Sequence, residues 1–335
     1  MSDMMKSFVI IATVIVSPLL MVAASDEWQT ALTQGADAAL NVFVHDERGK
    51  PIPGAQVRCA FWLGRSGGGN VVYGVADQTG HFLARGRSND DVHAKVVSEG
   101  YYASYARKVL GGTSAVDGIL VRDGRWQPYG EDWPILLRKI VNPVPLDSCI
   151  NRKEYHISAT NAWIGFDMEK RDWVKPHGDG IQADFEINFD WDGTVRGHYT
   201  GASLDLRFPD PFSGGYWTEK TNGSDYKFAY CADTNQNFLS EFRFVVKREK
   251  QGWKRAVFGE DKLLIARTRC KVDDEGVLVA ANYSQILGID FHWGGKGKGR
   301  FFISYIRNPS VNDTNLESDE VYRLYQKHLP DLKLK

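Results

Sequence analysis

The chain lacks the patterns that usually identify a metal site or a nucleotide site. Its four cysteines form no C-x-x-C pair, so the ligand spacing of a structural zinc site is absent. The glycine-rich stretch 294–300 is not closed by Lys-Ser or Lys-Thr, and a strand-like run follows it, which argues against a P-loop. The sequence therefore predicts no metal and no cofactor.

An excess of charge of either sign is also missing. The chain has 41 basic and 42 acidic residues, for a net charge of −1. A general nucleic-acid binder needs surplus positive charge to displace counterions from phosphates, so we expect no nucleic-acid partner. With 335 residues, the chain exceeds the size at which single cores usually stop growing, which suggests two domains.

Only one long apolar run occurs, at residues 8–24, and Lys6 precedes it. Pro18 interrupts this run, and small residues close it at Ala24, as in a secretory signal peptide. The alternative is an uncleaved anchor, because 17 apolar residues lie at the short limit for crossing a bilayer. We expect cleavage after Ala24, a periplasmic, cell-surface or extracellular location, and no membrane span in the mature chain.

Helical periodicity is nearly absent before residue 316. Apolar and polar residues instead alternate in short runs separated by turn residues, a pattern typical of β-sandwiches. The sequence predicts an all-β protein of two β-sandwich domains with a short C-terminal helix. The expected segments are a signal peptide (1–24), a linker (25–39), a first sandwich (40–141), a larger antiparallel sandwich (142–310) and a C-terminal helix and tail (311–335).

Three segments of the first sandwich carry a resemblance. Residues 42–55 (VFVHDERGKPIPGA), 77–82 (DQTGHF) and 96–101 (VVSEGY) look like the opening, middle turn and closing strand of a transthyretin-like, carboxypeptidase regulatory-like domain. In carboxypeptidases this module is a non-catalytic accessory domain. The resemblance implies a folded spacer or binding module.

The second domain resembles a family of exported bacterial proteins that carry the same N-terminal module. The resemblance rests on residues 166–180 (FDMEKRDWVKPHGDG), 266–276 (ARTRCKVDDEG), 283–288 (YSQILG) and 305–317 (YIRNPSVNDTNLE). It implies the same domain plan and location, and it supplies no catalytic residues.

One stretch of the second domain is rich in acidic residues and contains a histidine. Carboxylates and an imidazole can bind Ca²⁺ or act as general acid and base, although the alternating pattern of a Ca²⁺ loop is missing. The alternative is a polar loop around a packed tryptophan. The candidate catalytic residues are Asp167, Glu169, Asp172, His177 and Asp179.

Aromatic residues are abundant, with 10 Trp and 14 Tyr. Exposed rings can serve as flat platforms for sugars, whereas buried rings fill a core. Core packing is the alternative for most of them. The candidate ligand-binding residues are Trp173, Tyr216, Trp217 and Trp293.

Two further polar groups lie on predicted strands. Asp290 and His292 share one strand face, and His198 and Asp205 are also strand-borne. A histidine–carboxylate pair can orient a nucleophile or a metal, and the alternative is an ordinary polar strand face. The cations of stretch 294–300 could contact an anionic glycan.

In an exported protein the cysteines could form disulfides. Cys59 alternates with apolar residues on its strand and is predicted to be a buried thiol. Cys231 and Cys270 both end strand-like runs and are the preferred disulfide pair.

These features predict an exported, non-enzymatic binding or envelope-associated protein that holds a glycan or a cell-envelope protein through exposed aromatic rings. Two alternatives are a secreted polysaccharide-active hydrolase and a structural component of a surface assembly.

Overall fold

The computed structural model describes residues 27–64, 69–110, 121–150, 153–191, 194–195, 198–199, 201–249, 252–256, 258–259, 261–293, 299–318 and 322–323. The predicted signal peptide and most of the predicted C-terminal helix lie outside these residues. Within the described residues, no helix has the length and hydropathy needed to cross a bilayer. The chain forms two compact units. The first comprises the described residues up to Lys139 and Gly223–Asp225, and the second comprises Ile140–Asn222 and the described residues from Tyr226 onward.

The first unit contains two sheets whose apolar faces share one core. One sheet has the order β4-β1-β8-β7, with β9 also paired to β1, and the other has the order β3-β2-β5-β6. Alternating residues of both sheets, such as Val42 and Val57, are buried in this core. The strands are β1 (Ala36–His45), β2 (Gln56–Phe61), β3 (Asn70–Val75), β4 (His81–Ser88), β5 (Asp91–Val97), β6 (Ser104–Val109), β7 (Val121–Arg122), β8 (Arg125–Trp126) and β9 (Glu131–Leu136).

The segment 25–39, predicted as a linker or one helical turn, contains a helix and the start of a strand in its described part. Residues 27–34 form a helix, which Gly35 ends with a φ of 81°, and β1 begins at Ala36. Ala36, Ala38 and Ala39 are all buried. The alternation of a strand is hidden here because alanine is small enough to be buried on either face.

The second unit contains two six-stranded sheets and a separate two-stranded one. The first sheet has the order β10-β23-β22-β21-β18 with β11 also paired to β23, and the second has the order β13-β12-β14-β17-β19-β20. The strands are β10 (Asp147–Cys149), β11 (Glu154–Ile157), β12 (Trp163–Asp167), β13 (Asp172–Trp173), β14 (Phe185–Trp191), β15 (Thr194–Val195), β16 (His198–Tyr199), β17 (Gly201–Arg207), β18 (Gly214–Glu219), β19 (Glu241–Glu249), β20 (Gly252–Ala256), β21 (Lys262–Val272), β22 (Leu278–Trp293) and β23 (Gly299–Arg307).

Aromatic rings from both six-stranded sheets meet in the core of the second unit. Phe166 stacks on Phe185 at a ring-centroid distance of 5.2 Å, and both rings approach Phe301 of the facing sheet. Ring contacts of this kind add stability beyond area burial. Sheets that pack face to face over one core make a β-sandwich, so the predicted all-β sandwich class is confirmed.

Candidate functional site

The acidic cluster predicted within residues 167–179 divides into two groups. Asp167 and Glu169 form ion pairs with Arg269, about a hundred residues further along the chain. Asp172 lies on β13 and bonds the loop that follows this strand, and His177 belongs to that loop. Asp167 and Asp172 lie opposite each other on β12 and β13, but the two groups make different contacts and have different chemistry.

Arg269 lies among three carboxylates. Its guanidinium donates to Asp167 Oδ1 at 2.7 Å and to Glu169 Oε2 at 2.6 Å. Asp184 accepts from Nε of Arg269 at 2.8 Å and from Nη2 at 3.0 Å. The side chains of Asp167 and Asp184 are 2% and 0% exposed. These buried, charge-assisted bonds join β12 in one sheet to β21 in the other, so their role is to hold the sandwich together.

A β-bulge orients Arg269 for this role. The register between β21 and β22 shifts between Thr268 and Lys271, and Arg269 has a φ of 53°. As a result, the side chains of both Thr268 and Arg269 reach Asp184, although neighbours in a regular strand point to opposite faces. A non-glycine residue with a positive φ is strained, and it keeps this conformation only where the surrounding contacts hold it there.

Asp167 is held in its ionised form. Burial raises the pKa of this carboxyl group, but hydrogen bonds from the backbone N–H groups of Lys170, Ile181 and Gln182 lower it. The positive charge of Arg269 lowers it further, so the pKa of Asp167 lies below its ordinary value. A carboxyl group with a lowered pKa carries no proton to donate near neutral pH, so Asp167 is unsuited to be a general acid.

We expect the second unit to lose stability as the pH falls below about 4, the pKa of an aspartate in an unfolded chain. Because Asp167 has the lower pKa in the folded state, the unfolded state binds more protons. The stabilisation is present above the unfolded pKa and is lost as the pH falls through the folded pKa. Hydrogen exchange of the β12 and β21 amides across this acid range measures the loss.

The control is Asp167→Asn, which removes the titrating group. This variant starts from a lower stability and loses less of it on acidification than the unchanged protein. Equal acid sensitivity in the two proteins would show that Asp167 is not the titrating group.

Asp172 determines the shape of the loop that carries His177. Its carboxylate accepts hydrogen bonds from the backbone N–H of Trp173 at 2.9 Å and of Asp179 at 3.0 Å. A Cβ on Gly178 would lie 2.8 Å from Oδ1 of Asp172 and 2.5 Å from the carbonyl oxygen of Trp173, so only glycine fits. Asp179 takes part through its backbone, and its side chain is exposed.

The loop brings His177 against Ser158, just after β11. The distance between Ser158 Oγ and His177 Nδ1 is 2.6 Å. Ser158 is exposed and His177 is partly exposed, so solvent reaches the pair. The indole N–H of Trp173 donates to the carbonyl oxygen of His156 at 2.9 Å, which ties the loop to β11 two residues before the serine. Sequence reasoning missed Ser158, because nothing local links it to a histidine 19 positions away.

The predicted aromatic platforms whose side chains are described do not form one surface. Trp173 is 3% exposed and packs edge-on against Phe166 in the core. Tyr216 and Trp217 are consecutive on β18, so their rings lie on opposite faces of the sheet. Trp217 is partly covered by Phe258, at a ring-centroid distance of 4.9 Å. The side chain of Trp293 lies outside the described residues.

The predicted disulfide is wrong, because the structure contains four free thiols. Cys231 is exposed, whereas Cys270 is partly buried and packs against an apolar cluster that includes Ile265. Cys59 is buried, as predicted, and burial raises the pKa of its thiol to about 12. An inert, protonated thiol of this kind is a core residue.

Within the described residues, the remaining candidates supply no catalytic constellation. Gly64–Gly68 matches the G-x-S-x-G pattern, but it connects the antiparallel strands β2 and β3, whereas a nucleophile elbow joins a strand to a helix. Its residues 65–68, the stretch 294–298 and the side chain of His198 lie outside the described residues. Asp205 is paired with Arg243. In the described part of the chain, no group of three or more His, Cys, Asp or Glu residues could hold a metal ion.

Comparison with known proteins found no matching family model and no matching curated protein. Solved structures that match include catechol 1,2-dioxygenase from Acinetobacter sp. ADP1, at 14% identity over 32% of this chain and 54% of that one, with a TM-score of 0.24. 3-Chlorocatechol 1,2-dioxygenase from Rhodococcus opacus 1CP matches at 13% identity over 31% of this chain and 60% of that one, with a TM-score of 0.25. Hydroxyquinol 1,2-dioxygenase from Pseudomonas putida DLL-E4 matches at 16% identity over 33% and 59%, with a TM-score of 0.23.

These matches correct the predicted function. The sequence favoured a non-enzymatic binding or envelope-associated protein, whereas the similar solved structures are enzymes. Of the described rings expected to hold a glycan, Trp173 is buried, and Tyr216 and Trp217 lie on opposite faces of their sheet. Neither that prediction nor its two alternatives is retained. The chain spans little more than half of each dioxygenase, and similarity of this size transfers no reaction to it.

Proposed function

We propose that the second unit is an ester hydrolase in which Ser158 is the nucleophile and His177 is the general base. The observation that carries the proposal is the distance of 2.6 Å between Ser158 Oγ and His177 Nδ1 at a solvent-accessible position. A serine hydroxyl is a weak nucleophile until an adjacent base takes its proton, and a hydrogen bond of this length is the required contact.

The reaction follows from this contact. With the imidazole proton on Nε2, His177 Nδ1 accepts the hydroxyl proton while Ser158 Oγ bonds to the ester carbonyl carbon. Collapse of the tetrahedral adduct breaks the bond to the alcohol oxygen, which takes the proton from Nδ1 and leaves an acyl-serine. Water then attacks the acyl group by the same proton transfers, which releases the acid and restores the serine.

Asp172 and Trp173 are positioning residues for this reaction. The carboxylate of Asp172 holds the backbone of the loop at residue 179, and the indole of Trp173 fixes the loop to β11. A base that is held in place reacts faster, since little conformational freedom remains to be lost on reaching the transition state.

The experiment is hydrolysis of p-nitrophenyl acetate together with labelling by a fluorophosphonate. We expect Ser158→Ala to lose the activity and the label, and His177→Gln to lower kcat by roughly 10²–10⁴-fold, the usual contribution of a general base. Ser310→Ala changes an exposed residue and His93→Gln a partly exposed one, both outside the pair, and the two variants serve as controls. A label on another residue, or full activity in Ser158→Ala, would refute the proposal.

The proposal also assigns roles to the first unit and to the N-terminal segment. We propose that the protein is exported after cleavage behind Ala24, and that the first unit is a transthyretin-like, carboxypeptidase regulatory-like accessory domain. The apolar run at residues 8–24 and the segments 42–55, 77–82 and 96–101 support this assignment. Mass determination of the chain recovered from its source organism tests the export step, because a mature protein that still carries residues 1–24 contradicts cleavage.

A further inference from the structure

A row of three basic side chains crosses the outer face of one six-stranded sheet beside Ser158. His156 on β11 lies opposite Arg300 on β23, and Arg300 lies opposite His292 on β22. All three lie on the outer face, since their neighbours Tyr155, Phe301 and Phe291 are buried in the core. We call His156, Arg300 and His292 the basic row.

Two carboxylates, those of Glu154 and Asp290, lie beside the basic row. Glu154 is the nearest acid, with Oε2 3.2 Å from Nη1 of Arg300 and Oε1 3.8 Å from Nε2 of His156. Arg300 and Glu154 are 39% and 34% exposed, so this ion pair is weak and can be displaced. His292 stacks on Phe302 at a ring-centroid distance of 5.2 Å.

Asp290, the other acid on this face, bonds the backbone N–H of Phe291. Arg300 therefore lies between two imidazoles at the surface, with the carboxylates of Glu154 and Asp290 beside them.

The basic row lies at a defined distance from the serine. His156 lies on β11 and Ser158 directly follows this strand; both are exposed, whereas Ile157 between them is buried. A strand rises about 3.3 Å per residue, so the two backbones are about 7 Å apart. A short acyl chain of a few carbons spans this distance. The planar guanidinium of arginine suits a carboxylate, which it can bind with two parallel hydrogen bonds.

We propose that the basic row binds the free carboxylate of the substrate, so that the substrates are monoesters of short dicarboxylic acids. This inference rests on the proposed ester hydrolysis at Ser158. Arg300 binds the carboxylate in place of Glu154, and the imidazoles of His156 and His292 donate on either side. The ester carbonyl then lies at Ser158, one acyl chain away.

The binding test does not require turnover. Glutarate is titrated into Ser158→Ala protein, and the ring resonances of His156 and His292 are followed by NMR. We expect both resonances to shift, and we expect Arg300→Gln to weaken glutarate binding about tenfold or more, the effect of losing a charge-assisted hydrogen bond. Arg243→Gln changes another exposed strand arginine of the same unit and should leave the titration unaltered.

Kinetics test the substrate class. We expect Arg300→Gln to raise KM for mono-p-nitrophenyl glutarate about tenfold relative to KM for p-nitrophenyl acetate. Unshifted histidine resonances, or equal shifts in Arg300→Gln, would overturn the carboxylate site. If glutarate binds through Arg300 but neither ester is hydrolysed, the carboxylate site stands and the proposed hydrolase does not.

Discussion

Replacing Arg269 with methionine is expected to destabilise the second unit by roughly 3–5 kcal/mol, the cost of breaking a buried ion pair. Methionine fills similar space but leaves the carboxylates of Asp167 and Asp184, which are 2% and 0% exposed, without their cation. An uncompensated buried charge is more costly than the loss of the pair as a whole. Urea unfolding followed by hydrogen exchange, peptide by peptide, measures the change for each unit separately.

The control for this prediction is Arg243→Met. Arg243 also lies on a strand of the second unit and is paired with an aspartate, Asp205, but the two side chains are 65% and 33% exposed. Exposed pairs of this kind contribute about 0–1 kcal/mol. The prediction fails if the losses in unfolding free energy of the two variants differ by less than about 1 kcal/mol, because burial would then not change how much an ion pair stabilises the unit.

Arg269→Lys separates geometry from charge. A lysine ammonium keeps the positive charge but cannot make the two-point contact that the guanidinium makes with Asp184. We expect its stability to lie between those of the methionine variant and the unchanged protein.

Strand alternation was enough to predict the all-β class, because it is a local signal that each buried strand repeats. It failed at residues 36–39, because alanine can be buried on either face of a strand and so does not mark the face that packs on the core. Turns have a local cause of the same kind: at residues 46–51 and 273–276 an aspartate caps the backbone and a glycine takes a positive φ.

The sites depend on contacts that sequence spacing does not encode. The acidic stretch was visible, but its division between Arg269 and His177 is decided by a bulge in β21 and by the close approach of β11 to a loop. Ser158 is an ordinary serine until the fold places an imidazole against it. Likewise, the basic row exists only because three strands align in register.

Gly80→Ala is expected to destabilise the first unit by roughly 2–4 kcal/mol. This value is the cost of placing alanine in a left-handed conformation plus the cost of overpacking. Gly80 has a φ of 74°, and a Cβ there would lie 2.4 Å from the carbonyl oxygen of Val44. The backbone cannot easily yield, because the N–H of Val44 donates to the carbonyl of Gly80 at 2.8 Å. Hydrogen exchange of the β1 and β4 amides measures the loss.

Gly49 provides a control with almost the same backbone. It has a φ of 73° and lies three residues after Asp46, just as Gly80 lies three residues after Asp77. In both turns the aspartate Oδ1 accepts hydrogen bonds from the backbone N–H groups two and four residues further along the chain. No atom lies within 4 Å of a Cβ at Gly49, so Gly49→Ala should cost only about 1–2 kcal/mol, the conformational part. The difference between the two variants is then the close contact of the added Cβ with Val44, Pro51 and Ile52. Equal losses would mean that the chain moves aside at Gly80, and that this turn is held less firmly than its hydrogen bonds imply.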